Sequence, residues 1–197
     1  MKSTVVYMVI DFECFQPNSW QSVGVILYKM TPVGGSLLRK LHVSCDRGSQ
    51  TTPATTAFWN RNPAAFDYNY NHGKNRDVSA AESTICAFID LAKKEFPTFY
   101  LIGDTPEYDI GLMNGILARH GHQSMSHRNT NVYYQSICTW STKQILAKMG
   151  VCIKRRDLIG IDSLGCDLLP HTPIMDCFRT LNEYLCILET TYHTWIR

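Results

Sequence analysis

The sequence contains no apolar run approaching the roughly 20 residues that a membrane span needs. None of its eight cysteines (14, 45, 86, 138, 152, 166, 177 and 186) lies close enough to another to form a C-x-x-C zinc or redox pair. The first absence argues against a membrane protein. The second argues against a zinc ribbon and leaves reduced, mostly buried thiols. The start, MKSTVVYMVIDFE, has one lysine before an apolar run that meets acidic residues too soon for a secretory signal. An intracellular protein of a reducing compartment is expected, cytoplasmic or nuclear. A strong charge excess is missing too: the formal net charge is +2. Such a total neither requires nor forbids a nucleic-acid partner, because a local basic face does not show in composition. No internal repeat or low-complexity tract occurs. The basic cluster Lys154-Arg155-Arg156 is short and reads as a solvated loop in preference to a phosphate contact.

What is present is enough apolar material, 45% of 197 residues, for one compact domain spanning 1–197. Residues 4–10 are β-branched and aromatic with apolar side chains on both faces, as in a central strand covered on two sides. Asp11 and Glu13 then fall at its C-terminal end. Residues 22–30 and 36–44 read as a hairpin about the turn at 31–35. The Gly-, Pro-, Asn- and aromatic-rich segment 46–77 carries a short helix around 54–60 and otherwise irregular chain, the kind that lies over a cleft. Ser79 with Glu82 three positions on gives a capping-box pattern for an amphipathic helix over 79–95. A strand at 98–102 precedes a helix opened by Asp109. A fifth strand is expected at 132–137, a helix at 141–149 stopped by Gly150, and a last helix over about 174–190. The order predicts a mixed α/β fold, a five-stranded mixed sheet flanked by helices. Trp20 and Trp140 are assigned to the core.

Asp11 and Glu13, two apart on a strand, point to one face and can share a cation, for which hard oxygen ligands favour Mg²⁺ or Mn²⁺. A lone Asp-x-Glu is weak; its placement at the end of a buried-type strand raises it. Asp109 stands at a helix start and is preferred to its rival Asp104, which sits in a turn. His171 occupies a loop, and Asp176 the first turn of the last helix. Four carboxylates in this order, each at a strand end or helix start, with a histidine before the last, form an unusual joint pattern.

That pattern resembles the histidine (DEDDh) branch of the ribonuclease H-like 3′→5′ exonucleases, which includes polymerase proofreading subunits and oligoribonucleases. The first motif reads Asp11-Phe12-Glu13, the second Tyr108-Asp109 with Leu112 and Asn114, the third His171 with Asp176 five positions on, in order over residues 5–188. The tyrosine branch would place a tyrosine at 172, which is threonine. Thr-x-x-Phe-Trp at 55–59 also looks like small stand-alone members similar to prophage exonuclease VIII-type proteins and related exoribonucleases. The sequence departs at Cys14, where Thr or Ser is frequent, and at Asp104, where Asn is frequent; both touch substrate contacts and spare the carboxylates.

The resemblance implies a ribonuclease H-like fold and a two-metal hydrolysis of the 3′ end of single-stranded DNA or RNA. Asp11 would bridge two divalent cations, Glu13 and Asp176 would hold the water-activating ion, Asp109 would orient the other, and His171 would be the general base. Histidine suits that role because unperturbed imidazole titrates near about pH 6.5, so activity should rise from acid toward neutral pH. Phe12, Phe15, Trp59 and Tyr108 adjoin the motifs and are candidates for stacking on terminal bases. Two other readings stand beside this one: a nucleic-acid-binding module that lost catalysis, and a ribonuclease H-type endonuclease. No heptad or partner helix fixes an oligomeric state, and a homodimer is one option.

Overall fold

A computed structural model describes residues 5–16, 19–31, 34–45, 52–72, 77–96, 98–125, 137–151, 153 and 169–195. Five strands form one sheet: β1 (Val5–Gln16), β2 (Ser19–Thr31), β3 (Gly34–Ser44), β4 (Tyr100–Gly103) and β5 (Ile137–Cys138), in the spatial order β3-β2-β1-β4-β5. β1 pairs antiparallel with β2 and β2 with β3, whereas β1–β4 and β4–β5 are parallel. The expected five-stranded mixed sheet is therefore present. Of the strand expected at 132–137, only Ile137 lies within the described residues, as do none of Lys154, Arg155 and Arg156.

Side-chain alternation on β1 separates two cores. Even-numbered Val6, Met8, Ile10 and Phe12 pack with Ile85 and Ile89 of α3 (Val78–Glu95) and with Met113, Ile116 and Leu117 of α4 (Pro106–Arg119). Odd-numbered Tyr7 and Val9 meet Ile174, Cys177, Phe178 and Leu181 of α6 (Pro173–Trp195), an i, i+3/i+4 stripe. Ile85, Ile89, Met113, Ile116 and Leu117 have no exposure, so truncating any one to alanine should cost about 2–5 kcal/mol.

Between β3 and α3 lie α1 (Pro53–Arg61), α2 (Pro63–Asp67) and a π-helical turn at Tyr68–His72. Thr52 caps α1 by accepting the Thr55 N–H at 3.1 Å, with Pro53 preorganising the first turn. α5 (Thr139–Lys148) starts at the cap Cys138, two residues ahead of the expected start, and Gly150 at φ 75° stops it.

Three expectations need correction. The acidic pair does not end β1: the strand continues to Gln16 because β2 goes on pairing with it, Asp11 opposite Gly24 and Glu13 opposite Ser22. It is β4 that stops, its last partner on β1 being Val9. Ser79 is not the cap of α3; Asp77 is, accepting the Ala80 N–H at 2.9 Å. Glu82 lies buried, taking Arg119 at 2.6 Å and His120 at 3.2 Å, which ties α3 to α4. Trp140 is 51% exposed and not in the core, whereas Trp20 is buried edge-on against Phe12.

Candidate active site

β1 has an antiparallel neighbour on one side and a parallel one on the other, so where β4 ends a crevice opens beside residues 10–13 of β1, the usual position for a site in such a sheet. Asp11 and Glu13 share the odd-numbered face, toward α6. α6 can reach them because β2 offers bare backbone at Gly24: a Cβ there would lie 2.5 Å from Pro173 C, 2.6 Å from its O and 2.7 Å from Ile174 N. The helix thus seats its first turn against the strand pair, and the Cys177 thiol donates to the carbonyls of Gly24 at 3.3 Å and Val9 at 3.5 Å. Asp176 arrives in that first turn. Oxygens of Asp11, Glu13 and Asp176 all lie within 4.8 Å of one another.

Asp109 comes from the other direction. The turn after β4 leads into α4, whose first turn carries Asp109, 6% exposed. Its Oδ1 accepts the Phe12 N–H at 3.1 Å, on a stretch of β1 that β4 no longer covers. Its charge still raises the pKa of both Asp11 and Glu13. Asp104 also bears on Asp11, but its carboxylate is 52% exposed and engaged by Thr139 Oγ1 at 3.1 Å and Lys143 Nζ at 3.6 Å.

Burial and crowding push the acidic groups up together. Asp11 rises well above the ordinary carboxylate range through burial first, then the charges of Glu13, Asp109 and Asp176. Glu13 is pushed to about 8 by burial and by Asp176 and Asp109. Asp109 reaches about 7 through burial, held back by the Phe12 N–H. Asp176 is also raised by burial, moderated by Arg179, whose Nη1 is 3.2 Å away, and by His171. The buried Oδ2 of Asp11 has no hydrogen-bond partner. A cluster of hard oxygen donors with an orphaned central atom and little countercharge fits a divalent cation.

His171 precedes α6 in a half-buried turn, its backbone N–H donating to the Asp176 carboxylate. The Asn69 side-chain amide donates to its carbonyl at 2.8 Å, and Phe58 meets its ring edge-on at a centroid distance of 4.9 Å. Of the stacking candidates, Tyr108 is 40% exposed and hydrogen-bonds Cys14. Phe12 is buried on the even face of β1, and Trp59 is buried against Phe58 and Phe66. The side chain of Phe15 lies outside the described residues. Sequence reasoning missed Asn69, Gly24 and Arg179, and quoted Phe58 only within the Thr-x-x-Phe-Trp motif, without a role beside His171. Only Arg179 had a readable signal, its i+3 spacing from Asp176 on a helix.

No protein-family model and no curated protein matches the chain. Solved structures do. Escherichia coli exonuclease I in complex with a 5cy-dA13 oligonucleotide aligns over 94% of this chain and 40% of its own, at 12% identity and a TM-score of 0.61. The same enzyme with a dA16 oligonucleotide gives 94%, 41%, 12% and 0.60. The zinc-ion-bound form of its complex with single-stranded DNA gives 97%, 41%, 10% and 0.58. The sheet and its helices therefore adopt the ribonuclease H-like fold of these exonuclease structures, and the chain spans about two fifths of their length.

Proposed function

We propose that the chain is a metal-dependent 3′→5′ exonuclease of the DEDDh type, a single domain that removes nucleoside monophosphates from the 3′ end of single-stranded DNA or RNA. One observation carries the reading: Asp11, Glu13 and Asp176 converge from β1 and α6 on one crevice, with Asp109 behind and His171 beside them. The oligonucleotides bound by the structural neighbours support a single strand as ligand.

The four carboxylates would hold two divalent ions, Mg²⁺ or Mn²⁺, which when bound supply charge stabilisation for both the attacking and the leaving oxygen. His171 takes the proton from the attacking water as its oxygen bonds to phosphorus. The bond from phosphorus to the 3′ oxygen then breaks, the departing oxygen taking a proton from solvent water, which leaves a nucleoside 5′-monophosphate and a strand shortened by one nucleotide with a free 3′ hydroxyl. Tyr108, exposed at the start of α4 and next to Asp109, is the aromatic face offered to a terminal base.

Among the described residues no helix is long and apolar enough to cross a membrane, and Cys14, Cys45, Cys86, Cys138, Cys177 and Cys186 are free thiols. Free thiols support a cytoplasmic setting.

The test is Mn²⁺-dependent release of mononucleotides from a 3′-labelled single strand, abolished in Asp11→Ala and cut to a small measurable residue in His171→Ala. A folded wild type that releases nothing overturns the reading in favour of a binding module. Cleavage of a closed circular strand would instead indicate an endonuclease.

A further inference from the structure

His171 is the one non-glycine residue with positive φ among those described, at 63°. A side chain in this left-handed region carries roughly 1–3 kcal/mol of strain and persists only where surrounding contacts hold it. The following chain is fixed: Thr172 Oγ1 donates to the Leu169 carbonyl at 2.9 Å, and the Thr172 carbonyl takes the first N–H of Asp176 at 2.9 Å. Neither bond involves His171 itself. The His171 N–H donates to the Asp176 carboxylate, and its carbonyl and ring are held from the segment before α3.

Asn69 is fully buried on the π-helical turn, and its Nδ2 donates to the His171 carbonyl at 2.8 Å across 102 residues of sequence. Its Oδ1 is buried and has no partner. An amide that satisfies only half of its hydrogen bonding costs stability that an apolar residue of similar volume would not. Its retention is explained by the bond it does make. Eleven residues earlier, on α1, Phe58 sets its ring edge-on to the imidazole at 77°, limiting rotation of the ring that the carbonyl anchor has placed.

We propose that Asn69 is a positioning residue for His171, acting with Phe58 to hold the imidazole in the strained turn whose backbone N–H meets Asp176. The proposal rests on the nuclease reading for its kinetic consequence and stands apart from it for its structural one. Asn69 touches neither the carboxylates nor the path of a strand; it acts through the backbone of the base. The segment at 52–72 is thereby a working wall of the site.

Two measurements test it on the full-length protein. In Asn69→Leu, kcat for mononucleotide release should fall about 10- to 100-fold, with KM for the strand and the Mn²⁺ concentration for half-activity unchanged. Adding Asn69→Leu to His171→Ala should cause no further loss, because the two act as one unit. Independently of activity, the ring protons of His171 in the wild type should give one sharp resonance displaced by the Phe58 ring current. That displacement should disappear in Asn69→Leu and in Phe58→Leu, and return in part in Asn69→Gln. Losses that multiply in the double variant, or an unchanged His171 resonance in a folded Asn69→Leu, overturn the proposal. If the wild type releases no nucleotide, the nuclease reading fails while the resonance still decides the positioning role. Should Asn69→Leu fail to fold, Asn69→Ala is read in the same way.

Discussion

Glu13 offers a direct measurement of how the carboxylate cluster is held together. In the metal-free protein its pKa is about 8 against an ordinary 4.5, burial being the main cause and the charges of Asp176 and Asp109 the next. A carboxyl whose folded pKa is raised contributes its full stability below the unfolded pKa, and that contribution is lost as pH rises toward the folded one. Between pH 4.5 and pH 7 the loss from this group alone amounts to about 3 kcal/mol. For a domain of this size that corresponds to about 6–12 °C in Tm. In EDTA, the wild type should therefore melt progressively lower from pH 5 to pH 8. Glu13→Gln removes the penalised charge and should melt higher than the wild type at pH 7, the gap closing at pH 4.5. Saturating Mn²⁺ should reverse the order, since cation at about a thousand times its Kd adds about 4.1 kcal/mol to the wild type, more than the penalty it carries. Thermal melts by circular dichroism at four pH values, with EDTA or Mn²⁺, give all of these numbers. A metal-free wild type with flat Tm from pH 5 to 8, or a Glu13→Gln that melts lower than it at pH 7, would refute the placement of these groups in one crowded, buried crevice.

Gly24→Ala should shift the start of α6, because the new methyl would enter within 2.7 Å of Pro173 and Ile174 backbone. Strain of about 1–3 kcal/mol in urea unfolding is expected, with a larger proportional loss of Mn²⁺ affinity by titration calorimetry; unchanged affinity would show that α6 need not sit there. Asp109→Asn should lower Mn²⁺-dependent nucleotide release by about 10²-fold or more, while Asp104→Asn, whose carboxylate is exposed and tied to Thr139 and Lys143, should leave it within about threefold. The opposite order in an initial-rate assay would exchange their roles.

Much of the fold was legible because the apolar patterns of β1, α3, α4 and α6 are dictated by burial, and burial is written in side chains. Strand extent was not. The apolar run stops at Ile10, yet β1 continues through Asp11 and Glu13 because backbone pairing with β2 is indifferent to side-chain polarity. The Ser79-to-Glu82 spacing failed for a related reason: an aspartate two residues earlier caps the helix, and Glu82 is claimed by Arg119 and His120 of another element. Asp11, Glu13 and Asp176 could be named from order and spacing, and the structure brings them together. Trp140 misled because a large aromatic carries the same composition signal whether or not anything packs on it. Asn69 left no trace, since its one relevant contact spans 102 residues and no local rule reports it.

The seat of α6 on Gly24 has a consequence for the order of events in folding. Two of the clustered carboxylates lie on β1, whereas the third comes from α6 and waits for the docking marked by the Cys177 contact to Val9, 168 positions away. Until that last helix is down, Asp11 and Glu13 form an open pair with no third wall, and His171 has nothing to face. Assembly of the acidic cluster is therefore a late event of folding, tied to the docking of α6.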